Sequence, residues 1–416
     1  MKTAASRLPA DPFNTILVLF IFLRLTVLLF FTPTGPLNVY TDLSFYFHTL
    51  QYSDQGYYPF VNMWYEYPPL STYLVQATYD LATIFITIPD VFSVEYQLWT
   101  RLLGLVLLAF DIGVLYLLYK IVRKAWGQQH ADWTAMVYAL ASLPLFYSAY
   151  GHNIIMAFFT LLTIERFIEE RYTESAVALG LAVASKLTPL FMLAPVMRFL
   201  WEGRRKAVPA IIKYSAIALG TAALFYLPFV LMGSGEWVAA SFQALAVKGS
   251  WATIWALIDG NWTVNYGRLP EMIQLEMASL PRTNPPVIPE MVKSAGFALA
   301  FGWFYIKPLK DRSPQRFVWY AVLSALVFHL WSKGWSPQWI TLIVPLLLMA
   351  FPGKRGLYLL LALTAVTMLE WPIADAFASR GLLAFTLLAR TALFGLMTFW
   401  LGKEIIKPSQ LETQSV

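Results

Sequence analysis

Eleven apolar runs limit what this chain can become. They lie at about residues 13–32, 98–122, 132–150, 154–168, 176–200, 208–232, 292–308, 317–332, 338–352, 356–371 and 381–402. Each spans or nearly spans a bilayer, which takes about 20 apolar residues as a helix. Hydrocarbon offers no partner to backbone polar groups, so such runs must close their hydrogen bonds internally as helices. Composition agrees: 13% of the 416 residues are charged and 58% are hydrophobic, against about 25% charged in an average soluble domain. The expectation is a single all-α, polytopic membrane domain over residues 1–416.

The segments between the runs set the sidedness. Lys120/Arg123/Lys124, Arg166/Arg171, Arg198/Arg204/Arg205/Lys206, Lys307/Lys310/Arg312/Arg316, Lys354/Arg355 and Lys403/Lys407 are the lysine and arginine clusters expected of cytoplasmic loops. The net charge of +6 is therefore loop bias, and no basic patch is offered to nucleic acid. Lys2 and Arg7 precede a run from Phe13 to Phe31 that is too long for a signal-peptide core and lacks a small-residue cleavage site, so it reads as a retained first span.

Run 176–200 lies between two cytoplasmic clusters and is too short for two full crossings. It is expected to form a hairpin of two short helices with Lys186-Leu-Thr-Pro189 at its tip, Pro189 making the break. Counting this hairpin as two gives about twelve helices, and a re-entrant reading gives ten. Two extracytoplasmic loops are long, at about 33–97 and 233–291. In the first, Leu43, Tyr46, Phe47 and Leu50 have helical spacing and Gly56 stands at a stop. An amphipathic helix lying on the membrane surface is expected there, followed by a second helix opened by Pro68-Pro69.

Several chemistries are excluded. Without cysteine there is no disulfide, thiol nucleophile or thiolate metal site, and the four histidines form no metal-binding motif. There is also no phosphate-binding Walker loop and no dinucleotide fingerprint. What remains is a set of polar residues on the predicted outer face. Asp42 precedes a helix, so it reads either as an N-cap or as a general base at the membrane rim. Glu66 lies among aromatic residues in Tyr65-Glu66-Tyr67-Pro68-Pro69, either as a solvated loop acid or beside a sugar. His152 and Asn153 sit at a predicted outer turn, as turn residues or ligand contacts. Lys186, inside an apolar run, must be paired, snorkel to the interface or face a wet cavity, and Lys333 occupies another outer turn. Both ammonium groups suit a phosphate. Arg24 and Asp111, in neighbouring spans, are expected to form a structural ion pair, and Asn261-Trp-Thr263 is a formal glycosylation sequon.

The blocks Tyr40-Thr-Asp42-Leu-Ser-Phe-Tyr46, Gly56-Tyr-Tyr-Pro59, Tyr67-Pro-Pro-Leu70, Gly180 to Pro189 and Ser336-Pro-Gln-Trp339 resemble, in order and spacing, the GT-C superfamily of glycosyltransferases. Within it they are most similar to the glycosyltransferase family 87 group of polyprenyl-phosphate-dependent mannosyltransferases. The resemblance implies a GT-C type helical bundle of about 10–12 transmembrane helices and an inverting transfer, with mannose the expected sugar, to a lipid or glycan acceptor on the extracytoplasmic side. It gives Asp42 the role of base and Lys186 that of meeting the donor phosphate or holding the hairpin; Lys333, by its place at an outer turn, is the second candidate for the phosphate. Glu66, Tyr67, His152, Asn153 and Gln338 are the expected substrate contacts, although the family usually carries another residue type at the position of Glu66. No cofactor is implied beyond the lipid-linked donor; a metal is not required, and the protein is expected to act as a monomer. The competing class is a transporter or flippase of lipid-linked saccharides, which calls for functional charges in mid-membrane. A structural subunit of the cell envelope is a third.

Overall fold

The computed structural model describes residues 12–33, 42–201, 207–262, 268–374 and 376–407. Lys2, Arg7, Tyr40, Thr41, Arg204, Arg205, Lys206 and Thr263 lie outside the described residues. Among the described residues the fold is all-helical, with only isolated bridges in place of strands. All eleven apolar runs are helical, but several are interrupted. Five helices are long and apolar enough to cross a membrane unaided: Pro12–Phe30, Val94–Trp126, Ala207–Leu224, Lys354–Ala374 and Arg380–Ile406. A sixth crossing results if the bent pair Ser142–Tyr150 and Asn153–Ile168 is one span. The expected ten to twelve helices therefore include short and broken elements.

The breaks matter more than the spans. Ser142–Tyr150 meets Asn153–Ile168 at 111°, with Gly151 at the corner. A Cβ there would stand 2.7 Å from the Tyr147 carbonyl oxygen, closer than packed atoms approach, so the corner needs glycine. The bend places Asn153 at the first turn of its helix, far from the basic end at Arg166. At about 1.5 Å per residue the two ends are roughly 20 Å apart.

The predicted hairpin is present. Helix Tyr172–Ser185 stops before Lys186, which is extended, and the chain continues through a 3-10 turn, Thr188–Met192, into helix Leu193–Leu200. Residues 170–174 and Leu200 line one cavity, so the two arms leave and return at the same side. The helix pair Val94–Trp126 and Asn153–Ile168 is tied at the basic end by the Lys120–Glu165 ion pair. Arg24 and Asp111 form the expected buried pair at 3.1 Å, and Tyr138 donates to the same carboxylate at 2.7 Å.

One expectation is overturned. Helix Leu43–Asp54 does not lay its apolar face on lipid: Leu43, Tyr46, Phe47 and Leu50 are buried. Phe47 packs on Tyr96 and Trp99 with ring centroids 5.1 and 6.0 Å apart. Amphipathic spacing reports that a face is buried, not what buries it. The second long loop, helical over Gly235–Val247, folds over the first. Trp64 Nε1 donates to the Gln274 carbonyl at 3.1 Å, and the Tyr65 amide donates to Ser241 Oγ at 2.9 Å. Asn261, the sequon asparagine, is buried and donates to Ser250 Oγ at 2.9 Å within this loop.

Candidate active site

Asp42 stands at the N-cap position of helix Leu43–Asp54, yet its side chain makes no capping bond. Its backbone is left-handed, with φ 60° and ψ 14°, a conformation aspartate tolerates better than most residues. The carboxylate is turned away from its own helix. Its Oδ2 accepts hydrogen bonds from the Tyr67 hydroxyl and from Gln338 Nε2, the latter at 2.5 Å. The capping reading of Asp42 therefore fails, because the left-handed backbone aims the side chain elsewhere.

The chain of contacts continues inward. Gln338 Oε1 accepts from Asn153 Nδ2, and Asn153 Oδ1 accepts from Lys186 Nζ at 2.8 Å. The ammonium of Lys186 also lies 4.8 Å from the centroid of Trp339 and 5.6 Å from that of Tyr67. Four separate breaks in helical structure supply these groups: the entry to Leu43–Asp54, the corner at Gly151, the tip after Ser185 and the 3-10 turn Pro337–Trp339. Helix interiors engage their own backbone groups, and breaks are where side chains and dipoles can converge on one point.

Asp42 and Lys186 both line a cavity of about 530 Å³, together with Glu66, Lys248, Ser336 and Gln338. Trp251, Trp335, Trp339 and Trp371 form much of its wall. Glu66 and Lys248, both in the lining, pair at 2.6 Å, and Lys248 stands 4.2 Å from the centroid of Trp251. Arg390, ion-paired to buried Glu370, stacks 4.6 Å from the centroid of Trp335 and holds that wall.

Burial raises the pKa of Asp42 above the ordinary carboxylate value, more than the bonds from Tyr67 and Gln338 lower it. The charge of Glu66 adds to the rise and that of Lys186 opposes it. Such a carboxylate is a stronger base than one in water. Burial also pushes the Tyr67 phenol well above its usual value, and the charge of Asp42 pushes it further. Tyr67 thus remains a neutral donor.

The sequence-predicted residues fall into three groups. Asp42, Glu66, Tyr67, Lys186 and Gln338 line the cavity. Asn153, fully buried, stands behind the wall and touches Lys186 and Gln338. His152 is buried between the rings of Tyr46 and Tyr67, at 4.9 and 4.6 Å. Lys333 stands apart: its ammonium donates to the Ala246 carbonyl at 3.0 Å, and its own carbonyl holds the Trp251 amide at 2.9 Å. It supports the second loop and is not among the residues that line the cavity. Sequence reasoning missed Lys248 and Trp251. The signal available was Lys248-Gly-Ser-Trp251 breaking an apolar helix in an outer loop. Gly334 allows Trp251 to pack there, since a Cβ would meet its ring at 2.0 Å.

Fold and site together define an all-helical, multi-pass membrane protein with a charged, tryptophan-lined cavity. No protein-family model and no curated protein matches the sequence. Among solved structures, the chain is similar to the oligosaccharyltransferase of Archaeoglobus fulgidus in the apo form, with 14% identity and a TM-score of 0.44 over 95% of this chain and 56% of that one. It is also similar to the same organism's oligosaccharyltransferase AglB in complex with an inhibitory peptide and a dolichol-phosphate, with 13% identity, a TM-score of 0.39, and 93% and 55% of the two chains covered. A third is apo ArnT from Cupriavidus metallidurans, with 13% identity and a TM-score of 0.34 over 95% of this chain and 78% of that one. The chain spans little more than half the length of the two oligosaccharyltransferase chains.

Proposed function

We propose that the protein is an inverting glycosyltransferase of the GT-C type, moving mannose from a polyprenyl-phosphate donor to a hydroxyl of a lipid or glycan acceptor at the extracytoplasmic face. The observation that carries this reading is the placement of Asp42 and Lys186 on one tryptophan-lined cavity. A base with a raised pKa and a cation beside it are the two charges that transfer from a lipid phosphate needs. The tryptophan faces suit the apolar faces of a sugar ring, and the motifs around Asp42, Lys186 and Gln338 are those that carry the family resemblance.

In this mechanism Asp42 takes the proton of the acceptor hydroxyl as its oxygen bonds the anomeric carbon. The bond from that carbon to the phosphate oxygen breaks on the opposite face, inverting the configuration. The donor phosphodiester leaves as a polyprenyl monoester with one more negative charge. Lys186 meets that developing charge. Lys248, held by Glu66, is the second cation available to the donor. It takes the part that the sequence suggested for Lys333. Charge neutralisation by lysines leaves no step that calls for a metal.

The test is transfer by purified protein in lipid nanodiscs, using labelled polyprenyl-phosphate mannose, glucose or arabinose and a panel of acceptors. Asp42→Asn is expected to bind donor with wild-type affinity while transfer falls at least a thousandfold. Turnover by Asp42→Asn at the wild-type rate refutes the assignment. Movement of intact lipid-linked sugar across the bilayer without transfer would favour a flippase.

A further inference from the structure

Lys186 is linked to Asp42 by two buried carboxamides, and every bond in the chain runs in the same direction. An ammonium has only donors, so the atom of Asn153 that faces Lys186 is its oxygen. That turns Asn153 Nδ2 toward Gln338, which must present Oε1, and leaves Gln338 Nε2 to face Asp42. Flipping either amide would set N–H against ammonium or oxygen against carboxylate. Asn153 is 0% exposed and Gln338 2%, so water cannot repair such a mismatch. At the far end Asp42 Oδ2 receives two donors, Gln338 and Tyr67.

We infer that Asn153 and Gln338 are positioning residues that hold Lys186 and Asp42 as an ordered cation–anion couple and reserve Oδ1 of Asp42 for the incoming proton. This rests on Asp42 being the base. Oδ2, engaged by two N–H and O–H donors, has no room for a third hydrogen. Among the described residues no hydrogen bond reaches Oδ1. The polarised amides lower the energy of the charged carboxylate, as donors to an anion do. They also fix the separation between the group that removes the acceptor proton and the group that meets the leaving phosphate. The other titratable groups packed around Asp42 are Tyr46 on its own helix, Tyr65, Glu66 and Tyr67 on the following loop, His152 at the Gly151 corner, and Lys248 on the second loop. Gln338 bonds none of these, and its amide otherwise donates to Ser336 Oγ at 3.2 Å, a group that carries no charge.

The experiment compares wild-type protein with Gln338→Met and Gln338→Glu by two readouts. The first is kcat/KM against pH. The second is infrared titration of the Asp42 carboxyl, identified by difference against Asp42→Asn, which needs no turnover. Gln338→Met is expected to move the Asp42 titration, and with it the acid limb of the activity profile, upward by about one pH unit, a tenfold change in proton affinity. Gln338→Glu, setting a second carboxyl against the first, is expected to move both further. An unmoved titration in a folded Gln338 variant overturns the inference, as does a rise in donor KM with an unmoved acid limb. Should both Gln338 variants fail to fold, Tyr67→Phe removes the other donor to Oδ2 and is read in the same way. A shifted infrared titration in protein that transfers no sugar would keep the coupled pair and refute the transferase reading. Transfer with an unshifted titration would do the reverse.

Discussion

Replacing Lys186 with methionine keeps an unbranched side chain, one atom shorter, and removes its charge. In the resting protein the ammonium donates to buried Asn153 Oδ1 at 2.8 Å and lies 4.8 Å from the Trp339 centroid. Leaving that amide oxygen without a donor costs about 1–3 kcal/mol of stability, and the lost cation–π contact adds about 0.5–1 kcal/mol. The variant should therefore fold but melt earlier. The effect on catalysis is larger. A unit charge about 4 Å from the leaving phosphate, at an effective dielectric near 20, is worth about 4 kcal/mol, close to what loss of one oxyanion donor costs in enzymes. The phosphate gains a charge as it leaves, so most of this energy belongs to the transition state and kcat should fall about a thousandfold. The assay is single-turnover transfer at saturating donor, with rates normalised to the folded fraction from size-exclusion chromatography. A kcat within threefold of wild type, with only donor KM raised, would show that Lys186 binds the ground state and does not stabilise the leaving group.

Three further outcomes follow from the geometry. Because burial raises the Asp42 pKa, transfer should fall as pH drops through a value above the ordinary 3.8, and the Asp42→Asn residual rate should lack that limb. The sign for stability is opposite: folded Asp42 holds its proton more tightly than the unfolded chain, so its contribution declines as pH rises from 3.8 to the raised value. A thermal-melt series over that window reads the difference from Asp42→Asn. At the buried Arg24–Asp111 pair, Asp111→Leu alone leaves Arg24 uncompensated and should cost about 3–5 kcal/mol, whereas Arg24→Leu with Asp111→Leu should recover much of it. Equal melting temperatures for the single and double variants would count against that pairing.

Much of the architecture was legible because it is local. A run such as 98–122 has no alternative to a helix in hydrocarbon, and Pro189 had to interrupt run 176–200 wherever that run was placed. Lysine and arginine clusters gave an expected polarity of the ends without any tertiary information. The same local view misread helix Leu43–Asp54, whose apolar stripe is covered by protein and not by lipid. It named Lys333 and passed over Lys248, since both are single lysines near tryptophan in outer loops and nothing in the spacing draws attention to the second.

The sequence by itself determined that this is a helical membrane protein with acids, lysines and aromatic residues at one rim, because burial of backbone and charge in a bilayer obeys rules that act within about 20 residues. Only the tertiary structure decided which of them meet. Asp42 and Gln338 are 296 residues apart, Glu66 and Lys248 182, and Asn153 and Gln338 185. No periodicity carries over such separations. They close because four helix breaks and two interlocked loops bring unpaired polar groups to one cavity, where each buried donor needs an acceptor. That requirement, acting across the folded chain, turned Asp42 from an apparent helix cap into one end of a cation–anion couple.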